Sequence, residues 1–191
     1  AASGPKDVVM ILDTSGSMSK KGRFALMQKA AKWVVNTLTK YDTATVIDFS
    51  SQARAMDWGS GSTNLQKMDD VGRAKMRDYI DNLSVIGQTN MPAAFTKAFA
   101  ALDATHAAGG GSGRGLAQTV ILFLTDGENS ADSSPVEVVK ARNTADFSAR
   151  VFTYSLGSDS RGSDAMMGQL ACDTAGVHSK VDDGGNLEKV M

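Results

Sequence analysis

Short runs of apolar residues alternate along this chain with longer stretches in which apolar residues recur every three or four positions. The short runs are typical of strands covered on both faces, and they occupy residues 8–12, 44–49, 119–125, 150–156 and 176–181. The longer stretches predict helices at residues 23–38, 67–83, 92–106, 136–148 and 164–174, with another beginning at residue 187. This alternation predicts a doubly wound α/β fold with a mostly parallel sheet and helices on both faces.

A further strand is predicted at residues 53–58, at an edge of the sheet. Only residues 50–52 separate it from the strand at 44–49, and so short a link joins antiparallel neighbours. The sequence therefore predicts a six-stranded sheet with one antiparallel edge strand. The glycine-rich segment at residues 109–115 lacks the G-K-[ST] of a phosphate-binding loop and precedes a strand, so we interpret it as a connector.

Length and charge narrow the class of protein. The 191 residues suit a single domain covering residues 1–191, and because the chain does not begin with Met we expect it to be a piece of a longer protein. Lys and Arg number 20 against 21 Asp and Glu, without a basic block, which argues against nucleic acid as a partner. No apolar run approaches the roughly 18 residues of a membrane span, so we expect no direct membrane insertion by this segment.

One acid and two hydroxyl residues follow the first strand. Alternate side chains share a side of an extended segment, so Asp13, Ser15 and Ser17 can converge while Thr14 and Gly16 turn away. A carboxylate with two hydroxyls is a ligand set that suits a hard cation. The carboxyl end of a parallel strand is also where open α/β sheets bind ligands. We therefore predict a metal site at this edge.

Two later segments reach the same edge in the predicted fold. Asp126 follows the apolar strand at residues 119–125 as Asp13 follows the first strand. Thr89 lies in the loop before the helix at residues 92–106, where Asn90 is a good N-cap candidate and Pro92 suits the first turn. If the two strands are neighbours, both carboxylates face one crevice, and the Thr89 hydroxyl can add a further oxygen.

In this order, Asp13, Ser15, Ser17, Thr89 and Asp126 resemble the metal ion-dependent adhesion site of von Willebrand factor A-type domains. That site reads Asp-x-Ser-x-Ser, then a Thr, then an Asp, and the resemblance extends over essentially the whole chain. It implies a Rossmann-like fold and all five residues as metal ligands. It also implies that the ion coordinates an Asp or Glu carboxylate of a protein partner. Mg²⁺ is the expected ion, with Ca²⁺ or Mn²⁺ possible.

A narrower resemblance is to the von Willebrand A domain that precedes a Cache domain in calcium channel alpha-2-delta subunits and related extracellular proteins. It is carried by GQTN, LTDGE, RVFTYSLG and MMGQLACDTAGVHSKVDDGGNL. It implies an extracellular or cell-surface location and a membrane-tethered parent. It also leaves Cys172 outside the metal site, and we expect a buried thiol there; pairing with a region outside this segment is the alternative.

Two other functions compete with adhesion. The metal could only brace a larger membrane-associated or channel-like assembly. A metal-dependent hydrolase is less consistent with the sequence: haloacid dehalogenase phosphatases need Asp at position 15, where this chain has Ser. No G-x-S-x-G elbow occurs, and we expect His106 and His178 to be ordinary surface or half-buried residues. Asp48 is predicted to lie at a strand end or in a pair at the surface, and Glu128 to lie near the site without binding metal.

Overall fold

The computed structural model describes residues 4–59, 61–109, 118–145, 147–157, 161–183 and 185. Its strands are β1 (Lys6–Asp13), β2 (Thr43–Phe49), β3 (Ala53–Ala55), β4 (Gln66–Lys67), β5 (Gln118–Thr125), β6 (Arg150–Leu156) and β7 (His178–Val181). Its α-helices are α1 (Arg23–Thr37), α2 (Asp70–Asp81), α3 (Met91–Ala107), α4 (Pro135–Arg142) and α5 (Arg161–Asp173). A 3₁₀ segment, Gly16–Gly22, joins β1 to α1.

The strands form one sheet in the order β3-β2-β1-β5-β6-β7. β1 pairs in parallel with β2 and with β5, while β3 pairs antiparallel with β2. These pairings confirm the mostly parallel sheet with an antiparallel edge strand. The chain leaves β1 toward β2 and later returns to the opposite side of β1 through β5. The strand order therefore switches between β1 and β5, and their carboxyl ends form the crevice in which such sheets bind ligands.

Both faces of the sheet are covered, as the unbroken apolar strands predict. On one face Met10 and Leu12 of β1 lie in the cluster that includes Met27 and Val35 of α1. On the other face Val9 and Ile11 join the apolar residues of α3, α4 and α5. All four β1 residues are fully buried, so their packing against helices on both sides fixes β1 in the centre of the sheet.

The segment before α2 differs from the prediction. The sequence predicts a helix from residue 67, but α2 begins at Asp70, and Gln66–Lys67 form a short strand that pairs antiparallel with β2. The physical reason is the cap. The Asp69 carboxylate accepts from the backbone N–H of Gly72 at 2.9 Å, which starts the helix after Asp69. The sheet thus has a two-residue antiparallel addition beyond the six predicted strands.

The helix predicted at residues 136–148 is also too long. α4 ends at Arg142, and the Asn143 side chain bonds the loop that leads into β6. Its Oδ1 accepts from the Ala149 N–H at 2.8 Å, while its Nδ2 donates to the Ala149 carbonyl at 2.9 Å. This pair of bonds gives the backbone of the loop an alternative to further helix.

The prediction of a buried thiol is wrong, because Cys172 is exposed. Met167, Leu170 and Ala171 form the buried stripe of α5, and Cys172 lies outside it. The helix predicted from residue 187 and most of the glycine-rich connector lie outside the described residues. None of the described helices is long and apolar enough to cross a membrane.

Candidate metal centre

Asp13 is the last residue of β1, and its side chain is fully buried. Asp13 Oδ1 accepts from the backbone N–H of Ser15 at 2.7 Å, and Oδ2 accepts from the hydroxyl of Thr125 at the end of β5. Thr14 turns the other way, and its N–H and hydroxyl both donate to the Phe49 carbonyl at the end of β2. The loop is thus tied to both neighbouring strands, with the Asp13 carboxylate turned toward β5.

Ser15 and Ser17 carry the chain of polar contacts from Asp13 to Asp126. Their Oγ atoms lie 3.1 Å apart, and the Ser17 hydroxyl donates to Asp126 Oδ1 at 2.6 Å. Ser15 and Asp126 are buried, at 1% and 4% exposed. The structure therefore brings the Asp-x-Ser-x-Ser segment and the acid after β5 to one place.

Thr89 closes the cluster from the loop before α3. It is 7% exposed, and a Cβ built on Gly127 would lie 3.4 Å from Thr89 Oγ1 and 3.5 Å from Ser17 Oγ. The loop is held by reciprocal bonds: Thr89 N–H donates to Ser130 Oγ at 3.0 Å, while Ser130 N–H donates to the Thr89 carbonyl at 2.8 Å. All five residues predicted from the sequence therefore gather at one edge of the sheet.

Gly87 lets this loop approach β1. Its φ is +80°, a backbone conformation that glycine adopts more readily than other residues. A Cβ at this position would lie only 2.8 Å from Ser51 Oγ. Its carbonyl accepts from the Gly16 N–H at 3.0 Å, and the neighbouring Ile86 N–H donates to the Thr14 carbonyl at 2.8 Å. The loop before α3 and the loop after β1 therefore form a continuous surface around the cluster.

Asp13 has an unusual electrostatic environment. Burial raises its pKa to about 6, against the hydrogen bonds from Ser15 and Thr125, which lower it; the charge of Asp126 adds to the rise. Among the described residues no Lys, Arg or His forms an ion pair with Asp13. A carboxylate buried without a cation is costly, and a bound divalent ion would remove that cost.

Asp126, in contrast, already has a cation. Arg23, at the start of α1, is 3% exposed, and its Nη1 donates to Asp126 Oδ2 at 2.9 Å. The same guanidinium donates through Nε to Asp183 Oδ1 at 2.7 Å and through Nη2 to Asp183 Oδ2 at 3.1 Å. Arg23 and Lys21 hold the pKa of Asp183 well below its usual range.

Arg23, Thr125 and Asp183 are not predicted from the sequence, although Arg23 leaves a signal. It stands four residues before Met27 on the buried stripe of α1. It also lies in the first turn, where the helix dipole disfavours a cation. A charged residue on an apolar stripe indicates a buried partner, but the partner lies 103 positions away and is not readable from the pattern. Thr125 and Asp183 carry no comparable signal.

The other residues singled out in the sequence lie away from the cluster or at its rim. Asp48 is paired with Arg54, as predicted, but it is buried rather than at the surface. Glu128 is exposed, and His106 and His178 are half-buried. The described residues contain no group of three or more His, Cys, Asp and Glu side chains that could hold a metal. The cluster has two carboxylates and three hydroxyls instead, and these oxygen donors fit a hard cation such as Mg²⁺.

Comparisons with known proteins identify relatives of this chain. The family model of the von Willebrand factor type A domain matches residues 7–191. Voltage-dependent calcium channel subunit alpha-2/delta-3 from Mus musculus is 27% identical over 181 residues, which are 95% of this chain and 16% of the relative. Uncharacterized protein YfbK from Escherichia coli is 27% identical over 97% of this chain and 30% of its own length. The chain thus spans a minor part of these relatives.

Solved structures share the fold. A von Willebrand factor type A structure from Catenulispora acidiphila has a TM-score of 0.81 at 19% identity, over 98% of this chain and 41% of that one. Proximal thread matrix protein 1 from the mussel byssus, with a zinc-occupied metal ion-dependent adhesion site, has a TM-score of 0.73 at 16% identity. That match covers 99% of this chain and 46% of the byssus protein.

Proposed function

Because the chain belongs to the von Willebrand factor type A domain family, we propose that residues 1–191 act as a single divalent-cation-dependent protein-binding module. Asp13 is the observation that carries this proposal. Its carboxylate is buried at a strand end, accepts only from uncharged donors within the part of the chain that the structure describes, and lies in one cluster with three hydroxyls and a second carboxylate. Such a group stabilises the fold poorly by itself but is suited to holding a cation.

The proposed ligands of the ion are five oxygen-bearing side chains, those of Asp13, Ser15, Ser17, Thr89 and Asp126. Hydroxyl and carboxylate oxygens favour Mg²⁺, with Ca²⁺ or Mn²⁺ as alternatives. The zinc-occupied metal ion-dependent adhesion site of the mussel byssus protein, which shares the fold, supports the proposal that this chain binds a metal. A bound divalent ion would supply an electrophilic centre for one further oxygen ligand, and a carboxylate of a partner protein suits it best.

The surface around the cluster supports an acidic partner. Ile86, beside the Thr14–Gly16 backbone, is 65% exposed and offers an apolar contact at the rim. Lys20, in the 3₁₀ segment, is exposed as well. One exposed apolar and one exposed basic side chain on the segments that flank the cluster suit an acidic protein segment.

A second candidate function is a metal-braced structural module of a membrane-associated or channel-like assembly. The similarity to a voltage-dependent calcium channel subunit favours it. Both functions suit an extracellular or cell-surface location, which we propose together with a membrane-tethered parent. Neither function requires catalysis, and we propose that the domain is not an enzyme, because none of the cluster hydroxyls has a His or Lys base within hydrogen-bonding distance among the described residues.

Binding with and without chelator tests the proposal. The immobilised domain is exposed to candidate protein partners in Mg²⁺ or in EDTA, with Asp13→Ala as the matched control. We expect a partner that is retained by Mg²⁺, lost in EDTA and lost on Asp13→Ala. Changing the critical Asp or Glu of that partner to its amide should weaken binding by roughly 2 to 5 kcal/mol.

Thr89→Ala separates ligand binding from metal binding. Thr89 lies on the loop that borders the exposed rim, so its loss should weaken the partner more than the ion. A partner whose binding survives EDTA, the amide change and Thr89→Ala would overturn the adhesion proposal and favour the bracing function instead.

A further inference from the structure

Asp126, one of the two carboxylates of the cluster, contacts both the candidate metal site and the buried side chain of Arg23. Its Oδ1 accepts from the Ser17 hydroxyl at 2.6 Å, and its Oδ2 accepts from Arg23 Nη1 at 2.9 Å. Both side chains of the ion pair are almost fully buried, at 3% and 0% exposed. A guanidinium this close and this poorly solvated offsets part of the charge of the carboxylate.

The position of Arg23 is fixed on its other sides. Asp183, after β7, accepts from Nε and Nη2, so two carboxylates grip one guanidinium. Gly157, after β6, has a φ of +92°, and a Cβ there would lie 2.3 Å from Arg23 Cζ. The guanidinium therefore lies directly against the Gly157 backbone. Because these contacts hold it in place, Arg23 cannot easily move away when a cation binds beside Asp126.

On the premise that the proposed metal site exists, we propose that Arg23 lowers the affinity of this site for divalent ions, because its guanidinium competes with the ion for Asp126. Its guanidinium holds Asp126 Oδ2 and offsets part of the charge of that carboxylate, so that Asp13 is the one carboxylate of the cluster that meets a divalent ion with no described cation paired to it. The site then binds metal weakly and leaves the ion with net positive charge. A carboxylate of an acidic partner would neutralise that residual charge. Arg23 would therefore lower the affinity of the site for the metal and raise the affinity of the bound metal for the partner's carboxylate.

The variants Arg23→Gln and Asp183→Asn are expected to change the affinity for metal in opposite directions. Arg23→Gln removes the competing charge and frees an oxygen of Asp126, so the dissociation constant for Mg²⁺ or Mn²⁺ should fall by about tenfold. Asp183→Asn removes an anion from Arg23 and leaves its charge to Asp126, so metal should bind about two- to threefold more weakly. A general loss of structure would weaken binding in both variants.

Isothermal titration calorimetry with the metal alone measures these changes, and the metal-induced rise in melting temperature gives a second readout. The rise should be larger in Arg23→Gln than in the unchanged protein, since the ion replaces the lost cation beside Asp126. Arg23→Lys is the matched control, because it keeps the charge, and its affinity should stay near that of the unchanged protein.

Two outcomes would overturn the inference while leaving the metal site intact. One is an unchanged protein that binds metal and an Arg23→Gln variant that binds it no more tightly. The other is equal tightening in Arg23→Gln and Arg23→Lys, which would place the cause in the shape of the guanidinium rather than in its charge. Should Arg23→Gln not fold, an Asp183→Asn variant that binds metal as tightly as the unchanged protein overturns it. Failure of every protein, unchanged and variant, to bind metal would instead refute the proposed function.

Discussion

Two buried aspartates on neighbouring strands show how similar burial can have different consequences. Asp48 of β2 is 1% exposed and accepts from Arg54 Nη2 at 2.8 Å and from the Tyr79 hydroxyl. Asp13 of β1 is fully buried, and the described residues that donate to it are uncharged, one of them Thr125. A carboxylate with its own cation stabilises the sheet edge, whereas one without a cation leaves room for an ion from solution.

The pKa values at the two sites reflect this difference. Around Asp48, burial raises the pKa of Tyr79, and the bonded carboxylate adds to the rise. The same carboxylate raises the pKa of Arg54, which keeps the arginine charged. At Asp13, burial raises the pKa of the carboxylate itself, and no Lys, Arg or His among the described residues pairs with it. The comparison predicts that losing the charge of Asp48 costs stability, while losing that of Asp13 does not when metal is absent.

The largest effect is expected for Asp48→Ala, which leaves Tyr79 and Arg54 without their shared partner. We expect the free energy of unfolding to fall by about 2 to 3 kcal/mol, because the half-buried Tyr79 hydroxyl loses its charged acceptor, while the exposed Arg54 adds little. Chemical denaturation in EDTA measures it. Asp81→Asn, which removes an exposed ion pair with Lys32, is the control and should cost less than about 1 kcal/mol. Equal costs for both variants would contradict the structural role of Asp48.

Asp13→Asn should have the opposite sign. Because the pKa of Asp13 is raised to about 6, the folded protein binds this proton more tightly than the unfolded chain. This group therefore lowers the free energy of unfolding as pH rises from about 4 to about 6, by at most about 3 kcal/mol. In EDTA, Asp13→Asn should be more stable than the unchanged protein at pH 7.5, and the difference should shrink toward pH 4. A variant that is less stable at pH 7.5 would contradict the unpaired state of Asp13.

Thr125→Val tests the uncharged donor on which Asp13 depends. The change keeps the shape of a fully buried side chain and removes its hydrogen bond to Asp13. In EDTA at pH 8, where Asp13 is ionised, we expect a loss of about 1 to 2 kcal/mol. The loss should be smaller at pH 4, because a protonated carboxyl needs the donor less. A loss independent of pH would show that Thr125 acts through packing or through the hydrogen bond it accepts from the Gly127 N–H at 3.2 Å, and not through Asp13.

The smallest effect is expected for Arg54→Gln. The Arg54 side chain is 66% exposed, so solvent screens its charge, and the Tyr79 hydroxyl still donates to Asp48. We expect a cost below about 1 kcal/mol. Thermal melts should show the same metal-induced shift in this variant as in the unchanged protein. A different shift would couple the edge of the sheet to the metal site, which the comparison does not predict.

Much of the fold could be predicted from the sequence, because strands buried on both faces must be apolar throughout. The apolar runs predict β1, β2, β5 and β6 within a residue or two, and the three-residue link after Phe49 predicts the antiparallel edge. Helix ends were less predictable. The start of α2 and the end of α4 each depend on one side chain, Asp69 and Asn143, that bonds to the backbone. The apolar periodicity continues past both positions and therefore predicts helices that are too long.

The candidate site divides in the same way. The gathering of Asp13 and Asp126 follows from local rules, because polar residues after parallel strands meet at one edge. The ion pair of Arg23 with Asp126 does not, because it joins residues 103 positions apart and depends on how α1 packs against the sheet. The exposure of Cys172 likewise depends on which face of α5 packs against the sheet, and the residues next to Cys172 in the sequence do not determine that face.

Divalent-ion titration of three proteins tests the central claim, that Asp13 is a buried carboxylate kept for a cation. Isothermal titration calorimetry with Mg²⁺ and Mn²⁺ at pH 7.5 compares the unchanged chain, Asp13→Asn and Asp48→Asn, with folding verified by circular dichroism. We predict binding by the unchanged chain and by Asp48→Asn, and none by Asp13→Asn. A folded unchanged chain that binds no divalent ion at millimolar concentration, or an Asp13→Asn variant that binds as tightly as the unchanged chain, would contradict the claim.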